Sequence, residues 1–284
     1  MSSQTKNNKV FQYIIDALEK GTVPWRSPYK PMVSGHGHVY TGVNRMVLNM
    51  EARLKEYTSR TWYTYKGAKK NGGTVCKGEK GTPIIYYSQG TKENKEGEQQ
   101  FWLVRKVYYV FNKDQCDFWE DESEAEEEWA PTWSGDTIVG AYVTNNPELK
   151  ITHVPGMAYY APKKDVVNVP MPRELEAGMY YPTMFHELAH STGAKHRLDR
   201  SGITDINMHG DHAYSEEELV AEMTTAYLCG YANFQMEMLD QSAAYIKGWM
   251  KGIKDDPNIL QRAASMAEKA FDYIVQTNKG DDNG

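Results

Sequence analysis

Apolar positions set the first elements. Val10, Ile14, Ala17 and Leu18 recur at helical spacing between about Lys6 and Lys20, and Gly21 ends that segment. Val23-Pro24-Trp25-Arg26-Ser27-Pro28-Tyr29 breaks the period and reads as an extended, proline-punctuated loop. Thr41-Gly42-Val43-Asn44-Arg45 opens a second predicted helix that runs to about Tyr57. Ser59 to Lys66 leads into Lys69-Lys70-Asn71-Gly72-Gly73, a basic segment closed by a turn. Pro83-Ile84-Ile85-Tyr86-Tyr87 predicts a strand, Gln89 to Gln99 a polar hairpin tip, and Phe101 to Phe111 the returning strand. The pattern stops at an acidic run from Glu120 to Glu128, interrupted only by Ser123 and Ala125 and followed by Trp129-Ala130-Pro131-Thr132-Trp133. This marks residues 119–133 as a solvated linker between a domain at 1–118 and another at 134–284. Beyond it come a short helix (136–145), three short strands (151–154, 157–161 and 166–169), two helices described below, and two closing helices (237–254 and 257–278). Strands followed by helices imply an α+β domain with helices on a small sheet, so the expected architecture is α+β in two domains.

Composition narrows the class. The 284 residues are 40% hydrophobic and 25% charged, as in a soluble globular protein. No apolar run has transmembrane length, and the first residues lack a signal-peptide core, which points to a cytoplasmic protein without a membrane partner. Cys76, Cys116 and Cys229 show no metal spacing and leave one over in any disulfide scheme, so buried thiols in a reducing compartment are expected. The net charge of −6 hides an asymmetry: residues 1–90 hold 14 Lys+Arg against 5 Asp+Glu, whereas residues 91–130 hold 5 against 12. A basic front on an acidic body suggests a polyanionic partner for the front.

The chemistry is concentrated in Pro182-Thr183-Met184-Phe185-His186-Glu187-Leu188-Ala189-His190-Ser191-Thr192-Gly193. Histidines four apart on a helix present both imidazoles to one metal ion, and Glu187 beside them can take a proton from a bound water. Met184, Phe185, Leu188 and Ala189 supply the apolar stripe, Pro182 suits a first turn, and Gly193 suits a C-terminal stop. A third ligand is offered by the helix that begins near Ser215, where Ser215 and Glu218 fit a capping box. Glu218 and Glu222 share a face. The natural division is Glu218 on the metal and Glu222 bonded to the free ring nitrogen of a liganding histidine, with the reverse assignment open. Glu216 and Glu217 are accounted for by the helix dipole. The expected ion is one zinc per chain, with other divalent metals compatible.

In the front, Trp25-Arg26 with Tyr29, and Trp62, Tyr63 and Tyr65 with Lys66, Lys69 and Lys70, combine aromatic faces with positive charge. That combination binds single-stranded nucleic acid. Lys77 and Lys80 sit on glycine-flanked turns accessible to phosphate. An ordinary reading competes, in which the aromatics are core and the lysines solvated surface.

These residues carry a family resemblance. Gly21-Thr22-Val23-Pro24-Trp25-Arg26, Thr41-Gly42-Val43-Asn44-Arg45, Trp62-Tyr63-Thr64 and Val75-Cys76-Lys77-Gly78-Glu79-Lys80-Gly81-Thr82 resemble the N-terminal domain of ArdC-type antirestriction proteins. Ala158-Tyr159-Tyr160-Ala161-Pro162, the segment from Phe185 to Gly193, Arg197-Leu198 and Glu217-Glu218-Leu219-Val220-Ala221-Glu222 resemble their zincin-like metallopeptidase domain. Tyr245-Ile246-Lys247-Gly248-Trp249 and the closing Ala-rich helix do so too. The resemblance implies that the front binds single-stranded DNA through residues such as Trp25, Arg26, Tyr29, Asn44, Arg45, Trp62, Tyr65, Lys66, Lys69, Lys77 and Lys80. It implies that His186, His190 and Glu218 hold zinc, that Glu187 is the general base, and that the strand near Tyr159 pairs with a peptide. The implied role is protection of incoming conjugative DNA from host restriction in the bacterial cytoplasm, with an unidentified protein, such as a restriction component, as substrate. Against it stands an accessory DNA-coating or nuclease-blocking protein whose zinc is structural.

Overall fold

The computed structural model describes residues 9–26, 30–93, 99–118, 133–176, 178–204, 216–234, 243–256 and 258–276, with the backbone alone for 87–93, 99–104, 243–245 and 276. The chain forms two compact units, Met1–Pro24 with Pro31–Glu128 and Trp25–Lys30 with Trp129–Gly284. The division differs from a plain front-and-rear split in one respect. The short segment Trp25–Lys30 belongs to the rear unit although the chain on both sides of it belongs to the front. The acidic stretch 119–132 lies outside the described residues.

In the front unit, helix α1 (Lys9–Glu19) buries Val10, Phe11, Ile14, Ile15, Ala17 and Leu18. A four-stranded sheet runs in the order β1 (Val33–Ser34), β2 (Thr61–Thr64), β5 (Gln99–Asn112), β4 (Thr82–Glu93). The β4–β5 hairpin is longer than the pattern predicted, pairing from Thr82 with Val110 to Glu93 with Gln99. Thr91, Phe101 and Trp102 favour a pleated backbone, and local polarity does not break it. One face of the sheet and helix α2 (Gly42–Leu54) enclose Met32, Tyr40, Leu48, Ala52, Trp62, Ile84 and Val110. Helix α3 (Tyr65–Lys70) starts on the Thr64 side chain, which accepts the Gly67 N–H at 3.0 Å. This helix occupies the basic segment read as leading into a turn. Strands β3 (Gly73–Val75) and β6 (Cys116–Phe118) make a small antiparallel pair.

The rear unit opens with α4 (Gly135–Thr144), where the sequence placed a helix. Its three-stranded sheet has β9 (Val166–Asn168) between parallel β7 (Lys150–Thr152) and antiparallel β8 (Tyr159–Ala161), leaving β8 an edge. The helices are α5 (Tyr180–Ser191), α6 (Ser201–Thr204), α7 (Glu216–Tyr231), α8 (Ala243–Asp255) and α9 (Ile259–Gln276). Helix α7 packs on both α5 and α9, which is why it is apolar on nearly every side rather than along one stripe. Ala263, Ala264, Ala267 and Ala270 are fully buried, and Thr224 Oγ1 reaches the Ala267 carbonyl at 3.4 Å. Small side chains on α9 thus admit the close approach.

A second anchor ties sheet to helices. Arg197 donates to both oxygens of Asp165 (2.9 and 2.7 Å), to Asn146 Oδ1 and to the Ser191 carbonyl. Tyr160 OH adds a bond to Asp165 at 2.9 Å. Among the described residues no helix is long and apolar enough to cross a membrane.

Candidate metal centre

Helix α5 begins at Tyr180, so Pro182 falls within its first turn, where a backbone N–H has no intrahelical acceptor to lose. From there the stripe Met184, Phe185, Leu188 and Ala189 is buried against the unit, as the spacing predicted. His186 and His190 consequently emerge on one side, with Nε2 atoms 3.1 Å apart and rings nearly perpendicular. Helix α7 brings Glu218 opposite them, at 3.3 Å from His186 Nε2 and 3.4 Å from His190 Nε2. Among the described residues these three form the one cluster of ligand types, their donor atoms all within 4.8 Å.

Geometry tests whether a metal fits. Nitrogen and oxygen donors about 2.0–2.1 Å from a tetrahedral ion lie about 3.3–3.4 Å from one another. The observed separations of 3.1–3.4 Å match that edge length. Among the described residues three donors meet there, one fewer than a tetrahedral ion takes. His186 and Glu218 are about a quarter exposed, so the cluster is reached from solvent.

Electrostatics match the geometry. Burial opposes ionisation of Glu218, but hydrogen bonds from His186 and His190 outweigh it and hold the carboxyl well below the usual range. Burial likewise opposes a charged His190, yet Glu217 and Glu218 push its pKa up to about 10 in the metal-free chain. Glu187 is nine-tenths buried, and burial raises its pKa. It lies close enough to feel the charges of His186, His190 and Glu218, and it accepts a hydrogen bond from the Tyr160 backbone on β8.

One supporting role is corrected. Glu222 is engaged elsewhere: its Oε2 accepts the Trp25 indole N–H at 2.9 Å and faces Arg26 Nη2 at 3.4 Å. The carboxylate bonded to the free nitrogen of a ligand is Glu217, whose Oε1 lies 3.2 Å from His190 Nδ1. Arg200 grips Glu217 at both oxygens (2.8 and 2.6 Å) and also donates to Thr192 Oγ1 and the Ala189 carbonyl. Gly193 serves this network rather than a left-handed stop. Its φ is not positive, and a Cβ there would lie 2.9 Å from Arg200 Nη2 and 2.7 Å from Ile203. The only local signal for these partners is an acidic pair, Glu217-Glu218, with an arginine shortly after the second histidine.

The expected DNA-contact residues divide. Trp25 is buried, sits edge-on to Trp249 at 5.6 Å, and belongs to the rear unit with Arg26. Trp62 is fully buried and points its N–H at Met32 Sδ. Asn44 spans the free edge of β4, bonding both backbone groups of Ile85 at 2.7 Å, and buried Arg45 donates to the Tyr40 carbonyl. These five are held within the fold: both indoles are buried, Asn44 and Arg45 bond backbone groups, and Arg26 faces Glu222. Tyr29 lies outside the described residues. Tyr65, Lys66, Lys69, Lys77 and Lys80 are exposed, and with Lys70 the first three line one surface hollow.

Comparison with known proteins agrees with both units. Residues 4–130 match the N-terminal domain of anti-restriction factor ArdC, and residues 141–266 match a zincin-like metallopeptidase family. A curated relative, DNA primase TraC of Escherichia coli, is 29% identical over 95% of the chain, which spans only 27% of that protein's length. The crystal structure of the antirestriction ArdC protein from the R388 plasmid superposes in its metal-free form with a TM-score of 0.75 at 32% identity. That match covers 95% of this chain and 97% of the relative. Its Mn(II)-bound form gives 0.74 at the same identity, covering 96% and 98%. Matched along nearly the whole of a crystallised relative and by both family models, the chain belongs to the ArdC-type antirestriction proteins.

Proposed function

We propose that the chain protects incoming single-stranded DNA from restriction in the bacterial cytoplasm, binding that DNA through its front unit and carrying a zinc-dependent peptidase site in its rear unit. The observation that carries the second half is Glu187. A metal with a purely structural task has no use for a buried carboxylate beside its ligands, held by a hydrogen bond from an edge strand. When bound, zinc supplies a Lewis acid that polarises a peptide carbonyl and acidifies a water. His186, His190 and Glu218 hold it, and Glu217 fixes the tautomer of His190 through Nδ1. Glu187 takes the proton of the attacking water and returns it to the leaving amine. Edge strand β8 offers a backbone for an extended peptide to pair with, next to that carboxylate.

A second reading, in which coating of DNA alone protects and the metal is structural, is favoured by the excess of 14 basic over 5 acidic residues in positions 1–90. One substitution separates the two. Glu187→Gln keeps shape, metal and DNA binding, and it should lower hydrolysis of a protein substrate by about 10²–10⁴-fold. Unmodified plasmid DNA is transferred into a restricting host that holds wild type or the variant at equal level. Lost protection makes hydrolysis part of the mechanism; full protection, with no cleaved host protein found by proteomics, leaves coating as the function.

A further inference from the structure

We infer that single-stranded DNA runs along an aromatic row on one face of β5, formed by Tyr65, Phe111 and Tyr109 and flanked by the ammonium groups of Lys9, Lys66 and Lys69. The inference rests on the reading of the front unit as a single-strand binder and names its track. Phe111 and Tyr109 are two apart on β5 and so project from the same face, about 6.8 Å apart. Tyr65, at the start of α3, continues the row with its ring 6.5 Å from that of Phe111. The three rings are thus neighbours on one face, with Tyr65 59% and Tyr109 44% exposed.

Charge is placed at both ends. Lys9 Nζ lies 5.5 Å from the centre of the Tyr109 ring, and Lys66, Lys69 and Lys70 surround Tyr65. Lys80 is exposed in the turn that leads to Gly81. Gly81 leaves room for the row: a Cβ there would come within 3.0 Å of both the Phe111 ring and the Tyr109 Cβ. Glu79 is the carboxylate of that turn, and its Oε2 is engaged by Gln115 at 2.6 Å. Aromatic faces in a row with positive groups beside them suit unstacked bases on a phosphate backbone, because bases stack on rings while ammonium groups meet the phosphates. A duplex, whose bases are already stacked and paired, gains nothing from exposed rings.

The opposite face supplies the control. Tyr86 and Tyr108 are also exposed and lie edge to face at 5.7 Å, but they project from the other side of the hairpin. Binding of a fluorescent oligothymidine to the full chain is measured by anisotropy, with thermal melting of each variant as the folding control. Tyr65→Ala and Tyr109→Ala should each weaken binding roughly five- to a hundred-fold, the loss of one stacked base. Tyr65→Phe and Tyr109→Phe should restore it, since the ring and not the hydroxyl is used. Lys66→Gln and Lys69→Gln should each reduce the slope of log affinity against log salt by about 0.7. Tyr86→Ala and Tyr108→Ala should bind as wild type. If the two control variants lose binding while the row variants retain it, the track is on the other face and this inference fails, although the front unit remains a single-strand binder. If wild type itself binds no single strand, or binds duplex equally well, the reading of the front unit fails and the track with it.

Discussion

Glu218 and Glu222 share a face of α7, yet one serves the metal cluster and the other holds Trp25 and Arg26. Four residues rise about 6 Å along a helix, which carries Glu222 past the histidine pair. Serving the second nitrogen of His190 takes a neighbour from the same turn as Glu218, and that neighbour is Glu217. Glu217→Gln or Arg200→Ala should therefore weaken Mn(II) or Zn(II) binding about 10–100-fold in a metal titration, whereas Glu222→Gln should leave it unchanged. Arg197 and Asp165 make a second testable pair. Arg197 is 1% exposed, and Arg197→Ala should cost about 3–5 kcal/mol in denaturant unfolding, because the Asp165 carboxylate loses the guanidinium that grips both its oxygens. Burial opposes ionisation of Asp165, but bonds from Arg197 and Tyr160 outweigh it and lower its pKa. A lowered folded pKa stabilises fully above the unfolded value near 4 and is lost as pH falls through the folded one. The stability gap between wild type and Asp165→Asn should thus be constant above about pH 5 and close below pH 4.

Helices α5 and α7 were legible in the sequence because their chemistry is local: His186, Glu187 and His190 occupy fixed steps of one helix, and Glu218 starts another. Strands β7, β8 and β9 and helix α4 fell close to the segments expected for them. Trp25, Arg26 and Trp62 were not legible in the same way. An aromatic beside a base between prolines has the same local pattern whether its partner is a nucleotide or a carboxylate 197 residues away, and only tertiary packing decides. The β4–β5 hairpin exceeded its predicted strands because pairing propagates through polar residues once the ladder exists. The alanine row of α9 is an element-level signal that periodicity does show. Ala267→Leu should overpack the contact with α7 and cost about 1–3 kcal/mol, read as a lowered melting temperature with the metal cluster otherwise intact.

At the scale of the molecule, Trp25–Lys30 makes the two units inseparable by a single cut. A piece spanning 129–284 lacks the indole that packs on Trp249 and the guanidinium that faces Glu222. Losing a buried tryptophan costs about 3–5 kcal/mol, so that piece should melt well below the full chain. A synthetic peptide covering residues 21–32, added in excess, should raise its melting temperature; no effect would show that the segment contributes nothing to the rear unit. The same threading governs how the chain is made. Trp25 leaves the ribosome 197 residues before Glu222, which at about 5–20 residues per second is a wait of roughly 10–40 s. During translation the front unit gains its helices and sheet while a tryptophan it does not use stays without its socket. The rear unit closes only after Trp249 has emerged, so the earliest part of its core to be synthesised is among the last to be enclosed.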